Sequence, residues 1–121
     1  MRRGPPLTRA QSRMVDRIAI DELGIPGVVL MENAAMALER EALAMLGGRP
    51  ADLPVVVLAG PGNNGGDGFA LARRLVVAGR AAEIVAVRAV GECSGDAGVN
   101  AAIAERMGIP ITIAEPARDD A

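Results

Sequence analysis

The stretch "VVVLAGPGNNGGDGFALARRL", residues 55–75, constrains the fold more than any other. Its opening run, 55–60, is short, continuous and β-branched, the pattern of a strand buried on both faces and hence of a parallel sheet. A loop with five glycines follows, and then the apolar spacing of a helix that closes at Gly79. The alternation continues: "AEIVAV", 82–87, reads as a second buried strand, "SGDAGVNAAIAERMG" as a helix with Ser94 as N-cap, and "IPITIAE" as a third strand. Strands joined by single helices predict right-handed crossovers and one half of a doubly wound α/β fold.

Two helices are predicted ahead of this unit. Residues 1–7, "MRRGPPL", hold a glycine and two prolines and read as a loose lead-in, so that order begins near Thr8. Thr8 and Gln11 have capping-box spacing, and Met14, Ile18 and Ala19 then recur on one face of a helix over 8–23. "LGIPG" ends it. Leu30, Ala34, Leu38, Ala42 and Met45 form the apolar stripe of a second, longer helix that stops at Gly47-Gly48. Three strands and two crossover helices make half a sheet with an unpaired edge, so the unit 8–121 is expected to be an incomplete domain on its C-terminal side.

Composition narrows the chemistry. The chain has no His and no Lys, its thirteen basic residues all being Arg, so the usual general base at neutral pH and any His metal site are missing. A net charge of −2 with dispersed Arg, one Phe and no Trp or Tyr argues against a nucleic-acid groove and for a small-molecule partner. Cys93 is the single cysteine; it excludes an internal disulfide and suits a reducing cytoplasm, and no motif around it gives it more than an idle role. Neither a targeting signal nor an apolar run long enough to span a membrane is present in the sequence.

Gly60-x-Gly62-x-x-Gly65 matches a dinucleotide fingerprint, but the acidic residue expected at the end of the second strand is replaced by Val87-Arg88. Arg88 could meet a 2′-phosphate. A helix starting near Gly65 would put Asp67 in its first turn, ionised by the macrodipole and repelling a second anion. No Gly-Lys-Ser/Thr follows, so a Walker-type grip fails. The loop instead offers the side-chain carbonyls of Asn63 and Asn64, the Asp67 carboxylate and approachable main chain, a set suited to a ribose or amide ligand and a hard cation. The plain alternative is a tight turn with Asp67 as a helix-start residue.

"LTRAQSRMVDRIAIDELGIPGVVLMENAAMAL", followed by "VVVLAGPGNNGGDGFALARRL", closely resembles the amino-terminal half of the YjeF N-terminal domain family, the NAD(P)H-hydrate epimerases. The resemblance runs from Thr8 onward and includes "SGDAGVNAAIAERMGIPI". It implies a Rossmann-like three-layer αβα fold with a mainly parallel sheet. It also implies an isomerase that interconverts the R and S epimers of NADHX and NADPHX, so that a partner NAD(P)H-hydrate dehydratase, separate or fused, can repair these damaged cofactors; the sequence, without targeting signal or membrane span, is expected to be cytoplasmic. Carried over by motif, Asn63, Asn64, Gly65, Gly66 and Asp67 would contact the NAD(P)HX substrate, and Asn64 would be one ligand of a potassium ion, one per subunit.

The family's later "DA-x-x-G-T-G"-like loop, its further potassium ligands and its proton-transferring acidic residue have no counterpart before Ala121, and the loop ahead of "SGDAG" looks shortened. The catalytic residue is therefore expected beyond Ala121, with Asp67 the weaker alternative. A non-catalytic nucleotide-binding or interaction module of the same fold is the rival reading, and the open sheet edge invites association such as a homodimer. Glu32 and Asn33 of "LMENAA" either lie on a solvent face, tie their helix to the glycine loop, or orient Asn63 or Asn64. Asp96 and Asn100 read as a solvated i, i+4 pair.

Overall fold

The structure, a computed structural model, describes residues 4–114, with Asn63 and Asn64 described by their backbone alone. Helices α1 (Arg9–Asp21) and α2 (Gly27–Leu46) precede β1 (Val55–Ala59), α3 (Asn63–Val77), β2 (Ala82–Ala86), α4 (Gly95–Arg106) and β3 (Ile111–Ile113), with a single 3-10 turn at Val90–Glu92. The strands lie in the order β1-β2-β3, all parallel, with Val57 opposite Ile84 and Ile84 opposite Ile111. This is the expected α/β half-sheet. The end of the third predicted strand, from Glu115 on, lies outside the described residues.

Because the strand order never reverses, right-handed crossovers lay α3 and α4 on the same face. The core forms there: Val57 and Ala59, then Ala82, Ile84 and Ala86, pack with Phe69, Ala72 and Leu75 of α3 and Ala101 and Ala104 of α4. Fully buried Phe69, Leu75 and Ile84 each contribute about 2 kcal/mol of apolar burial, and alanines fill the closer approaches. The sequence reading of β1 as buried on both faces needs correction. Val56 and Leu58, on the opposite face, are 56% and 75% exposed, since among the described residues no helix covers that side. The described residues thus supply two of the three layers.

The N-terminal helices also depart in detail from their stripes. Thr8 and Gln11 do form the capping box: the Gln11 N–H donates to Thr8 Oγ1 at 3.1 Å and the Thr8 N–H to Gln11 Oε1 at 2.9 Å. Yet Met14 and Ile18 are exposed and α1 buries no residue, so its local caps rather than packing define it. In α2 the buried face is Met31 and Ala35, not the stripe through Leu30, Ala34, Leu38 and Met45. The helix is apolar nearly all round, so spacing leaves its rotation open, and the ion pairs described below fix it. Ser94 holds the N-cap position of α4 but makes no side-chain cap hydrogen bond.

Candidate functional site

Gly62, with φ 74° and ψ −152°, turns the chain sharply out of β1 in a conformation open to little but glycine. The helix then begins at Asn63, two residues earlier than the sequence reading, and the Gly65 and Gly66 N–H groups bond back to the Gly62 carbonyl at 3.1 and 3.4 Å. Gly65 crosses the main chain of Gly60: a Cβ there would lie 3.1 Å from the Gly60 carbonyl carbon and closer still to its oxygen. Gly66 backs onto α2 and α4, where a Cβ would stand 2.6 Å from Met31 Sδ and 2.8 Å from the Ala97 Cα. Gly68 rides over β1, close to the Leu58 carbonyl. The glycines are therefore chiefly clearance, letting α3 start directly on the end of β1.

The earlier start moves Asp67 to the fifth residue of α3, out of the first turn. The expectation that the macrodipole holds it ionised is thus corrected, because that field fades within one turn. Half-buried Asp67 has its carboxyl pushed above the usual value by desolvation, with no partner in the described residues to offset it.

A cleft of about 520 Å³ opens beyond the carboxyl ends of β1 and β2. The glycine loop, Gly60, Pro61, Gly62 and Gly65, forms one wall; Arg88 and Glu92 to Gly95 form the other, and Ala59, Ala86 and Phe69 the floor. Of the substrate residues expected from the motif, Gly65 lines this cleft. Gly66 faces the helices, Asp67 is not among the residues that line the cleft, and the backbone of Asn63 and Asn64 opens α3, while their side chains lie outside the described residues. Arg88, exposed, reaches the cleft as the sequence allowed. The wall at 92–95 carried no motif that spacing could reveal.

Beneath the loop lies a polar network that the sequence did not disclose. Glu32 of α2 accepts from Arg73 Nη2 and, at 2.7 Å, from Arg74 Nη1, while Glu39 accepts from Arg74 Nε at 2.5 Å. Burial pushes the Glu32 carboxyl up, but the Arg74 hydrogen bond and the neighbouring Arg73 charge outweigh it and hold the group below its ordinary value. Arg74 is raised in turn by its bonds to Glu32 and Glu39. Of the readings open for "LMENAA", Glu32 thus ties α2 to the helix of the glycine loop, and Asn33 is exposed. The solvated pairing of Asp96 with Asn100 is corrected. Asn100 is 2% exposed, accepts from Arg73 Nε at 3.2 Å, and donates through Nδ2 to Met31 Sδ at 3.2 Å and to the Asp96 carbonyl at 3.3 Å. The Asp96 carboxylate itself turns toward the start of α2, where a Cβ on Gly27 would overlap it.

Among the described residues no three His, Cys, Asp or Glu stand together as a polydentate metal cluster would need. The half-buried Asp67 carboxylate, with no partner among the described residues, is an oxygen donor of the kind that suits a hard cation rather than a soft transition metal.

The fold is of the Rossmann-like α/β class, and its glycine-walled cleft lies at the carboxyl ends of parallel strands, where open sheets of that class take their ligands. The chain belongs to the YjeF-related protein N-terminus family, whose model matches residues 27–121. It is 42% identical over 109 residues to an NAD(P)H-hydrate epimerase of Rhodopirellula baltica, covering 90% of this chain and 43% of that protein. It is 34% identical to a bifunctional NAD(P)H-hydrate repair enzyme Nnr of Moorella thermoacetica, covering 84% of this chain and 19% of that protein. The crystal structure of yeast ynu0 superposes with a TM-score of 0.78 at 21% identity, over 91% of this chain and 47% of that one, which establishes the fold. The chain spans less than half the length of these relatives. No helix of the described residues is long and apolar enough to cross a membrane.

Proposed function

We propose that the protein acts as an NAD(P)H-hydrate epimerase, interconverting the R and S forms of NADHX and NADPHX in the cytoplasm. The observation that carries this reading is the similarity, over nine-tenths of the chain, to a relative named for that activity. The cleft supports it, because the glycine loop of the motif forms the wall of a crevice large enough for part of a dinucleotide. In this reading Asn63, Asn64, Gly65, Gly66 and Asp67 form the substrate-contacting segment. Gly65 brings main chain to the cleft wall by crossing Gly60, Gly66 seats the segment against the helices, and the amides and carboxylate supply polar contacts.

Asn64 would give one amide oxygen to a potassium ion, which when bound supplies fixed positive charge beside the substrate. Epimerisation at the hydrated carbon requires a group that removes and returns a proton. We assign that step to the region by which the relatives extend past the matched part, not to Asp67. Bifunctional relatives support an NAD(P)H-hydrate dehydratase as the functional partner, fused or separate. A non-catalytic module is not favoured, since relatives matching nearly all of this chain are named as enzymes.

The test is coupled repair. The protein, at the full length its gene encodes, is mixed with R-NADHX and a dehydratase specific for the S form. Catalysed return to NADH is expected. Consumption no faster than with the dehydratase alone refutes the reading.

A further inference from the structure

Asn100 is the one buried polar side chain in the described core, and its three hydrogen bonds run in distinct directions. Its Oδ1 takes the Arg73 guanidinium that also pairs with Glu32, which joins α4 to α3 and α2. Its Nδ2 donates to the Met31 thioether. Thioether sulfur is a weak acceptor, and Met has three rotatable bonds, so a Met that packs alone does not hold one shape. Here the Asn100 N–H gives the Met31 sulfur a fixed place, and that place is against Gly66. From the other side Gly66 meets Ala97, which lies one turn before Asn100 on α4. The glycine loop therefore rests on a seat made by Met31, which Asn100 holds through its sulfur, and by the α4 backbone at Ala97.

We propose that Asn100 is a positioning residue for the glycine loop, acting through the Met31 thioether on Gly66. None of its side-chain hydrogen bonds goes to a residue that lines the cleft. Its effect on the reaction rests on the reading of the loop as the substrate-contacting segment; its effect on the loop does not. Asn100→Asp keeps an acceptor for Arg73 Nε and removes the Nδ2 donor, and with it the bonds to Met31 and to the Asp96 carbonyl. Met31→Leu removes the acceptor while conserving side-chain volume, a change that cores tolerate well.

Two measurements on the full-length protein decide the matter. In the ligand-free protein, amide hydrogen exchange at Gly65 and Gly66, whose N–H groups bond to Gly62, should speed about tenfold in N100D and in M31L, with α3 from Ala70 onward unchanged. The double variant should be no faster than N100D alone, because N100D already breaks the contact that M31L removes. In the epimerase assay the same variants should raise KM about tenfold with kcat within twofold. N100D exchanging like the wild type, or the two effects multiplying in the double variant, overturns the proposal. Faster exchange with KM unchanged overturns its link to catalysis. A wild-type protein without epimerase activity removes the functional reading, while exchange still decides whether Asn100 holds the loop.

Discussion

Gly60, Gly62 and Gly65 look equivalent in the fingerprint pattern, yet the structure gives each a different reason to be glycine, and replacing them one at a time by alanine separates those reasons. At Gly65 the added Cβ would enter the Gly60 carbonyl, and both partners are backbone, so neither can rotate away. Overpacking of this kind costs about 1–3 kcal/mol, or more where nothing can yield. Against it stands a gain of about 1 kcal/mol from alanine's helix propensity. The clash wins: a net loss of about 2 kcal/mol is expected, together with loss of ligand binding as the helix start shifts. At Gly62 there is space, but its φ of 74° with extended ψ costs a side chain about 1–3 kcal/mol in strain. Gly60 has open space and no positive φ, so Gly60→Ala should stay within about 0.5 kcal/mol of the wild type. Urea unfolding of the three variants reads these differences as midpoint shifts at constant slope. A Gly65→Ala variant as stable as Gly60→Ala would refute the close crossing of α3 over β1.

Three further outcomes follow from the site. The folded-state pKa of Glu32 is lowered, so its stabilisation is full above its ordinary value of 4.5 and disappears as pH falls through the folded value; Glu32→Gln should flatten that acid limb in unfolding curves. Asp67 is the opposite case: its folded pKa lies above the ordinary 3.8, so its ionisation costs stability as pH rises through that window. Asp67→Asn should therefore raise Tm at pH 7, lose that advantage below about pH 3.8, and weaken substrate binding at both, by thermal unfolding and titration. If Asn64 holds potassium as proposed, Asn64→Ala should raise the potassium concentration needed for half-maximal epimerase activity about tenfold, in a salt titration with the cation varied at constant ionic strength.

The order of elements was legible in the sequence because it depends on local signals: β-branched runs for β1 and β2, glycines and prolines at their ends, and the Thr8–Gln11 box that starts α1. The place of the cleft follows from the same local signals, since a glycine loop that leaves β1 stands at the carboxyl end of that strand. What depends on one helix meeting another was not legible. The rotation of α2 about its axis, the burial of Asn100 and the pairing of Glu32 with Arg73 and Arg74 join residues 27 to 69 positions apart, and no spacing within a single helix encodes such contacts. The start of α3 at Asn63 belongs to the same class: the turn at Gly62 and the crossing of Gly65 over Gly60 advance the helix, and so leave Asp67 in a half-buried flank rather than at the positive helix end. The sequence by itself determined which segments are strands and helices and at which strand end the glycine loop stands; only the packing of α2, α3 and α4 decided which polar groups are buried, because burial and ion pairing are properties of the faces that meet.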